Sequence, residues 1–280
     1  MGFPFGGTFA TTDPPMTDER VHILITELDA WTRMGQRVQL WWRDDDAGEC
    51  CPALEHLLAL STRHAVPCGL AAVPMRAGES LRQVVNECEH AWVLQHGYAH
   101  INHAPKGNGA WELGLHRPTS VVLEELRQGM LLLEKLFAAR FVPVIVPPWN
   151  RMDAALLPYL PVMGYRGVSA AYKRQRPVPP ADLVRADAHC DLLSWKDKKA
   201  GARFVGSEKC VRELVSHLAA KRTGLADASE PTCVLTHHME MDTAAWDFLE
   251  LLFSLLATHP ATDWMRPADI WPISQTRTRR

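Results

Sequence analysis

Residues 38–46 read VQLWWRDDD, an apolar stretch that runs directly into three aspartates. The stretch Val38–Trp42 is rich in β-branched and aromatic residues, so it predicts a β-strand that ends at the charged residues. Three adjacent carboxylates repel one another and are stable together only if they are solvated, paired with a cation or bound to a metal. This strand end is therefore either a solvated loop with Arg43 as partner or an ion-binding site.

The same change from apolar to polar residues recurs along the chain, with helical periodicity between the strands. Further strands are predicted at 68–73, 91–95, 142–146, 167–170, 191–195, 233–236 and near Ile270, and helices at 18–35, 52–64, 119–140, 153–160, 207–221 and 243–258. Such alternation predicts parallel strands joined by helical crossovers. An α/β barrel and an open doubly wound sheet both fit this pattern, and the barrel is our prediction.

Composition limits the classes of function. The 280 residues carry 30 basic and 32 acidic side chains, a net charge of −2, so no basic field is present for a nucleic-acid partner. No apolar run approaches the roughly 18 to 20 residues that span a bilayer, and no secretory signal pattern is found at the N-terminus. The seven cysteines do not show the regular spacing of a disulfide-bonded set. We expect a cytoplasmic protein with reduced thiols, a disordered tail at 1–19 and one domain at 20–275.

A histidine-rich segment, HGYAHINH at residues 96–103, follows the predicted strand 91–95. Imidazoles four residues apart can bind one ion, and a glycine after the first favours a loop that brings His96 and His100 together; His103 is a further candidate. One carboxylate and two histidines leave open positions for water and substrate. Non-haem iron oxygenases use the same ligands, but they are typically all-β jelly rolls, which the α/β pattern does not match.

Two more polar segments follow predicted strands. THHME, residues 236–240, places two histidines where an imidazole can protonate a leaving group, although a helix entry would also explain them. VPPWNR, residues 146–151, would fix backbone amides and an aromatic wall beside a sugar, and turn rigidity explains it equally well. Because α/β barrels assemble their active sites at the carboxyl ends of the strands, these segments are candidates for one site.

In this order RDDDAG, HGYAH, VPPWNR and VLTHH resemble successive motifs of the polysaccharide deacetylase family, the NodB-homology or carbohydrate esterase 4 group, over residues 38–240. The resemblance implies an α/β fold, a distorted (β/α) barrel of about seven parallel strands. It also implies a metal-dependent hydrolase that removes an N-acetyl or O-acetyl group. The expected partner is an N-acetylated sugar, oligosaccharide or glycan precursor.

The resemblance implies a role for each matching residue. Asp45 is the expected base, and Asp46, His96 and His100 are the expected ligands of a divalent ion, with zinc expected first and cobalt, nickel or manganese as alternatives. The pair Asp44–Asp45 is the other possible register. The acid is expected at the first histidine of VLTHH, which is His237.

The remaining assignments lie where the chain departs from the family. The third motif has Val146 in the place of an arginine, so Arg151 is a possible substitute. The amide of Trp149 is expected to stabilise the oxyanion, with Pro148 beside it. A fourth motif is matched only by Asp191 and Trp195, and His238 occupies a position that often holds Asp or Asn in the family.

Two other functions remain open from the sequence. The altered third and fourth motifs are compatible with a carbohydrate-binding module that has lost its chemistry. Related barrels hydrolyse the C–N bonds of cyclic amides or ureides, which releases no acetate. The loop 103–117, with Lys106, Glu112 and Arg117, is expected to influence which acceptor binds.

Overall fold

A computed structural model describes residues 18–173, 175–195 and 201–272. The helices are α1 Asp18–Arg33, α2 Pro52–His64, α3 Glu79–Glu87, α4 Thr119–Phe137, α5 Ser207–Arg222, α6 Thr243–Leu256 and α7 Pro267–Ile270. The strands are β1 Val38–Ala47, β2 Cys68–Ala72, β3 Ala91–His96, β4 Phe141–Val146, β5 Gly167–Val168, β6 Val184–Arg185, β7 Cys190–Asp191, β8 Leu193–Ser194, β9 Arg203–Phe204, β10 Thr232–Thr236 and β11 Thr262–Trp264. The expected tail lies outside the described residues up to position 17, and positions 18 and 19 belong to α1.

The main sheet is parallel and has the order β6-β5-β4-β3-β2-β1-β10-β7, while β11 pairs with the start of β1. Its two end strands belong to one extended segment, residues 184–191. This segment pairs first with β5, where the Ala188 amide donates to the Ala170 carbonyl at 2.7 Å, and then with β10, where the His189 amide donates to the Cys233 carbonyl at 3.1 Å. It thereby closes the sheet into a distorted barrel with seven strand positions, in which β6 and β7 together occupy one. This closure confirms the predicted fold.

The apolar residues form an interior cluster and an outer layer. The interior cluster contains strand residues and the C-terminal segment, with Trp41 packed edge to face on Trp271 at 5.2 Å. The next residue along β1, Trp42, points outward and contacts Phe253 of α6. Since side chains alternate along a strand, one continuous apolar run fills the barrel and covers it with helices.

Several predicted elements have different bounds or types in the structure. β1 continues through the three aspartates to Ala47, and buried side chains bond to two of them, Asp44 and Asp45. The predicted strand 191–195 is divided between β7 and the antiparallel hairpin β8–β9. The strand predicted near Ile270 is wrong, because Pro267 starts the helix α7 at a position where no amide is needed. Helix α3 was not predicted.

All seven cysteines are free. Within the described ranges, no helix combines the length and the apolar character needed to cross a bilayer.

Candidate active site

The carboxyl ends of β1 and β3 bring one aspartate and two histidines together. Asp46 Oδ1 lies 3.1 Å from His96 Nε2 and 3.1 Å from His100 Nε2. It is buried, and no hydrogen bond of standard geometry reaches it from the described residues. Ligand atoms around a tetrahedral ion with bonds of about 2.0 to 2.2 Å lie roughly 3.3 to 3.6 Å apart, close to the distances here. The donor atoms and their spacing therefore fit a divalent metal ion.

His96 is held in an orientation that suits this role. His96 Nδ1 lies 3.0 Å from the Val146 carbonyl oxygen, so Nδ1 carries the proton and the lone pair of Nε2 faces Asp46. Burial raises the pKa of Asp46, but the imidazoles of His100 and His96 outweigh it and hold the pKa well below its ordinary value. Burial lowers the pKa of His96, but Asp46 and Asp45 outweigh this effect and raise the pKa above its ordinary value.

A β-bulge directs two consecutive aspartates into the cavity. Three residue steps on β1, from Asp44 to Ala47, match only two on β2, and Asp46 has a φ of 70°. A bulge of this kind inserts one extra residue and turns a side chain that would otherwise face the other side of the sheet. Asp45 and Asp46 consequently line the same cavity.

Asp44 faces away from the cavity and is fully buried. Its carboxylate accepts hydrogen bonds from Thr236 Oγ1 at 2.6 Å and from the His238 amide at 3.0 Å. Its Oδ1 also lies 2.5 Å from His238 Nδ1. The structure thus places Asp44 and His238 in a bridge between β1 and β10, and Asp45–Asp46 is the register that meets the histidines.

A buried arginine holds Asp45. Arg43 Nε lies 2.8 Å from Asp45 Oδ1, and its Nη2 donates to Asp45 Oδ2 at 3.1 Å. The same guanidinium donates to Ser169 Oγ at 2.6 Å and to Asn150 Oδ1 at 2.8 Å. Because this fork contacts both carboxylate oxygens, it determines the orientation of Asp45.

Arg151, the expected substitute for the missing arginine, does not contact Asp45. Its guanidinium lies 5.8 Å from the Trp111 ring centre and 3.5 Å from the Ala110 carbonyl, at the exposed edge of the cavity. The role of Arg43 was not predicted, because the sequence suggested Arg43 only as the partner of a solvated cluster of aspartates. Its position two residues before Asp45, on the same face of β1, was the available signal.

Glu112 has a different role from the one expected. It is fully buried, and its carboxylate accepts hydrogen bonds from the amides of Tyr98, Ala99 and Ile101 at 3.0, 2.8 and 3.4 Å. A Cβ at Gly97 would lie 1.9 Å from Glu112 Oε2, so only glycine fits beside it. Glu112 therefore shapes the loop that carries both histidines, and it does not line the cavity.

The opposite wall carries the expected acid. His237 Nε2 lies 3.9 Å from Asp45 Oδ2, and the Trp195 ring packs edge to face on His237 at 5.1 Å. His237 Nδ1 is buried and has no hydrogen-bond partner in the described part of the chain. Asp191 lines the cavity, but it accepts from the Leu193 amide at 2.9 Å and forms no hydrogen bond with His237 there. Burial raises the pKa of Asp191, and His237 opposes this effect.

The third motif forms another edge of the cavity. Trp149 and Asn150 have φ values of 53° and 55°, and the Trp149 ring lies 4.3 Å from the His100 ring. Such backbone conformations are costly for residues other than glycine and cluster at functional sites. Pro148 is buried and packs against Gly97, so it does not reach the cavity. His103 is exposed and lies outside the group formed by Asp46, His96 and His100.

The cavity enclosed by these walls has a volume of about 710 Å³. It is lined by Asp45, Asp46, His96, His100, Asn102, Pro105, Lys106, Gly107, Gly109, Ala110, Trp149, Asn150, Arg151, Asp191, Trp195 and His237. Carboxylates and imidazoles lie at its base, and aromatic rings and two cations surround its mouth. This arrangement suits a polar substrate with flat apolar faces.

Solved structures of three other proteins are similar to this chain. A Mycobacterium smegmatis protein assigned as a polysaccharide deacetylase aligns with a TM-score of 0.64 at 14% identity, over 84% of this chain and 89% of that one. A peptidoglycan N-acetylglucosamine deacetylase aligns with a TM-score of 0.54 at 13% identity, over 89% of this chain and 99% of that one. A family 4 acetyl xylan esterase from Clostridium thermocellum, solved with a cobalt ion, aligns with a TM-score of 0.51 at 10% identity. The alignment covers 83% of this chain and 89% of that one.

No protein-family model matches the chain, and no curated protein matches it at a significant level. The structural likenesses show that the chain has the fold of polysaccharide deacetylases and family 4 carbohydrate esterases, as the four motifs predict.

Proposed function

We propose that the chain is a metal-dependent hydrolase that removes an acetyl group from a sugar or glycan precursor. The observation that carries this proposal is the convergence of Asp46, His96 and His100 beside Asp45 and His237 in one cavity. The fold is compatible with it, because proteins named as deacetylases and esterases share this architecture. The ion we propose is zinc, with cobalt, nickel or manganese as alternatives.

A divalent ion held by these three side chains would supply Lewis acidity for activating water and polarising the acetyl carbonyl. Asp45 is the proposed base, because Arg43 fixes its carboxylate next to the metal-binding group. His237 is the proposed acid, which donates a proton to the departing amine or alcohol. It is placed for this because its Nε2 faces the cavity beside Asp45.

The amide of Trp149 is the proposed oxyanion donor. Outside the helical turn Pro148–Asn150, no hydrogen bond from this amide to a backbone acceptor is found in the described part of the chain, and we propose that the amide binds a substrate oxygen. Its strained backbone and the adjacent buried proline hold its direction constant. The rings of Trp149 and Trp195, which are 36% and 46% exposed, can stack on the apolar face of a pyranose.

The test combines bound metal with acetate release. Elemental analysis of the purified chain should find about one divalent ion, and the variants Asp46→Ala and His100→Ala should lose most of it. His103→Ala is the matched control, since it removes a neighbouring histidine outside the cluster and should retain the ion. Circular dichroism must show that all three variants are folded.

Acetate release from N-acetylated and O-acetylated oligosaccharides then separates the alternatives. Release that depends on the metal and disappears in Asp46→Ala supports the deacetylase. Metal binding without acetate release from these substrates would favour the carbohydrate-binding module, and ring opening of cyclic amides would favour the other C–N hydrolase. A parent chain that binds no metal after reconstitution would overturn the proposal.

A further inference from the structure

Asp44 is the aspartate of the triplet that the proposed hydrolysis does not use, and its contacts lie on both sides of the proposed acid. Thr236 and His238 are the residues that precede and follow His237 along the chain. The Asp44 carboxylate accepts hydrogen bonds from Thr236 Oγ1 at 2.6 Å and from the His238 amide at 3.0 Å. One buried carboxylate therefore bonds to both chain neighbours of His237.

The side chain of His238 adds a third contact to the same carboxylate. Its Nδ1 lies 2.5 Å from Asp44 Oδ1, and the two side chains are 1% and 0% exposed. Burial lowers the pKa of His238, but the opposing influence, chiefly that of Asp44, raises it to about 9, so the imidazole is protonated at neutral pH. A charge-assisted hydrogen bond is stronger than a neutral one, and the low dielectric of a buried site strengthens it further.

No comparable bond reaches the imidazole of His237 from the described residues. Its Nδ1 is buried and has no hydrogen-bond partner among them. The carboxylate of Asp191 bonds to the Leu193 amide instead. The direction of the His237 ring therefore depends on its packing against Trp195 and on the backbone that carries it.

This backbone lies where the acid leaves the sheet. Asp44 and Thr236 are the last register partners of the parallel pair β1–β10, and β10 ends at Thr236. His237 has an extended backbone, with φ −138° and ψ 90°, and the turn His238–Glu240 follows it. The bonds of Asp44 thus continue the connection between the two chain segments past the point where strand pairing stops.

We propose that Asp44 is a positioning residue for the acid His237. Its bonds to Thr236 and His238 fix the backbone between them, and the acid's Nε2 then faces the cavity. None of the three bonded residues lines the cavity, so Asp44 would act without touching a substrate. The inference rests on the proposed function, because His237 is an acid only in that reaction.

A double-mutant cycle with the acid tests this route. Acetate release from acetylated oligomers of glucosamine and of xylose is measured for Asp44→Asn, His237→Ala and the double variant. In the parent background Asp44→Asn should lower kcat roughly ten- to a hundredfold, since a misplacement of about 1 Å can cost a hundredfold in rate. In the His237→Ala background it should cost less than about twofold, because the group that Asp44 positions is absent.

Equal losses in the two backgrounds would overturn the proposal, since Asp44 would then act through Asp45 or the metal ligands. A second readout makes the same distinction. The ester 4-nitrophenyl acetate releases a stable phenolate that departs without a proton, so its hydrolysis does not need the acid. Asp44→Asn should therefore leave turnover of this ester and the metal content nearly unchanged. A fall in ester turnover as large as that on the oligomers would also overturn the proposal.

Two further comparisons control for damage to the fold. Glu27→Gln is the matched control, because Glu27 is also a buried carboxylate that joins two elements, bonding to Arg222 Nε at 2.8 Å, but it does not line the cavity. It should leave kcat unchanged. If Asp44→Asn does not fold, Thr236→Val removes one donor to Asp44 and should lower kcat in the same direction. Thr236→Ser keeps the hydroxyl and should recover most of that loss.

The outcomes separate this inference from the proposed function. A parent chain that releases acetate from neither oligomer would overturn the proposed function, and this inference with it. An active parent whose folded Asp44→Asn or Thr236→Val variant keeps the full kcat would overturn this inference alone.

Discussion

The two walls of the cavity hold their functional side chains by different means. On the metal wall, formed by Asp46, His96 and His100, the ring nitrogen of His96 is bonded to a backbone carbonyl and Glu112 binds three amides of the histidine loop. On the acid wall, formed by Asp191, Trp195 and His237, packing against Trp195 holds the imidazole, while Nδ1 lacks a hydrogen-bond partner in the described residues.

This difference indicates that the metal wall is organised before any substrate binds, whereas on the acid wall the described residues hold the His237 imidazole by packing. Asp45 lies between them and is held by Arg43. Substitutions on the two walls should therefore have unequal effects, and they should separate metal binding from proton transfer.

The largest effect, equalled by loss of the acid His237, is expected at Asp45, which both walls share. Asp45→Asn keeps the shape of the side chain but removes the base, so kcat should fall by roughly two to four powers of ten while the metal content is unchanged. Steady-state acetate release and elemental analysis measure the two quantities. Unchanged kcat on an established substrate would contradict the base assignment.

A smaller effect, and one on metal affinity, is expected at Glu112. Glu112→Gln replaces one acceptor oxygen by a donor that faces backbone amides, so the histidine loop should lose its shape. Metal affinity should fall by roughly 10- to 100-fold, as for other groups that orient metal ligands. Glu125→Gln is the control, because Glu125 pairs with Arg117 nearby and does not touch this loop. Metal competition with a chromogenic chelator would measure both affinities.

On the acid wall, Asp191→Asn should lower kcat by less than about tenfold, below the range for groups that hydrogen-bond a functional histidine. The reason is that Asp191 bonds to the Leu193 amide and not to His237. His237→Ala in the same assay should cost roughly two to four powers of ten. If Asp191→Asn were as damaging as His237→Ala, the acid wall would be organised like the metal wall.

The smallest effect is expected at Arg151, at the edge of the cavity. Arg151→Ala should raise KM by several-fold and leave kcat unchanged, because removing a contact made equally in ground and transition states changes binding alone. Arg140→Ala is a matched control, since Arg140 also lies over a tryptophan ring, at 5.5 Å, but away from the cavity. A fall in kcat would instead indicate that Arg151 acts on the reacting groups.

Much of the fold follows from local sequence patterns. Helix α2 has the predicted bounds, because Pro52 suits the first helical turn and the chain enters a left-handed conformation at Ala65. Helix α3 and strand β9 were missed, because both are short. Their positions depend on packing against neighbouring elements, which a short window of sequence does not contain.

The site was predicted in the same uneven way. The histidines His96 and His100 could be identified because two imidazoles four residues apart at a strand end can meet through local geometry. The partner of Asp45 could not be identified from the sequence, because Arg43 and Arg151 are both close in sequence to site residues. Only the side chain of Arg43 is directed into the barrel.

The amino-acid sequence alone is sufficient for the α/β alternation, the four polar segments at strand ends and the proposal of one carboxylate and two imidazoles as metal ligands, since these depend on composition and short-range spacing. Tertiary structure is needed to distinguish the three aspartates. A bulge against β2 and the positive φ of Asp46 direct two of them into the cavity, while a bridge to β10 buries Asp44 on the other side. Strand pairing sets these directions, and the paired residues Asp44 and Thr236 lie 192 residues apart in the chain.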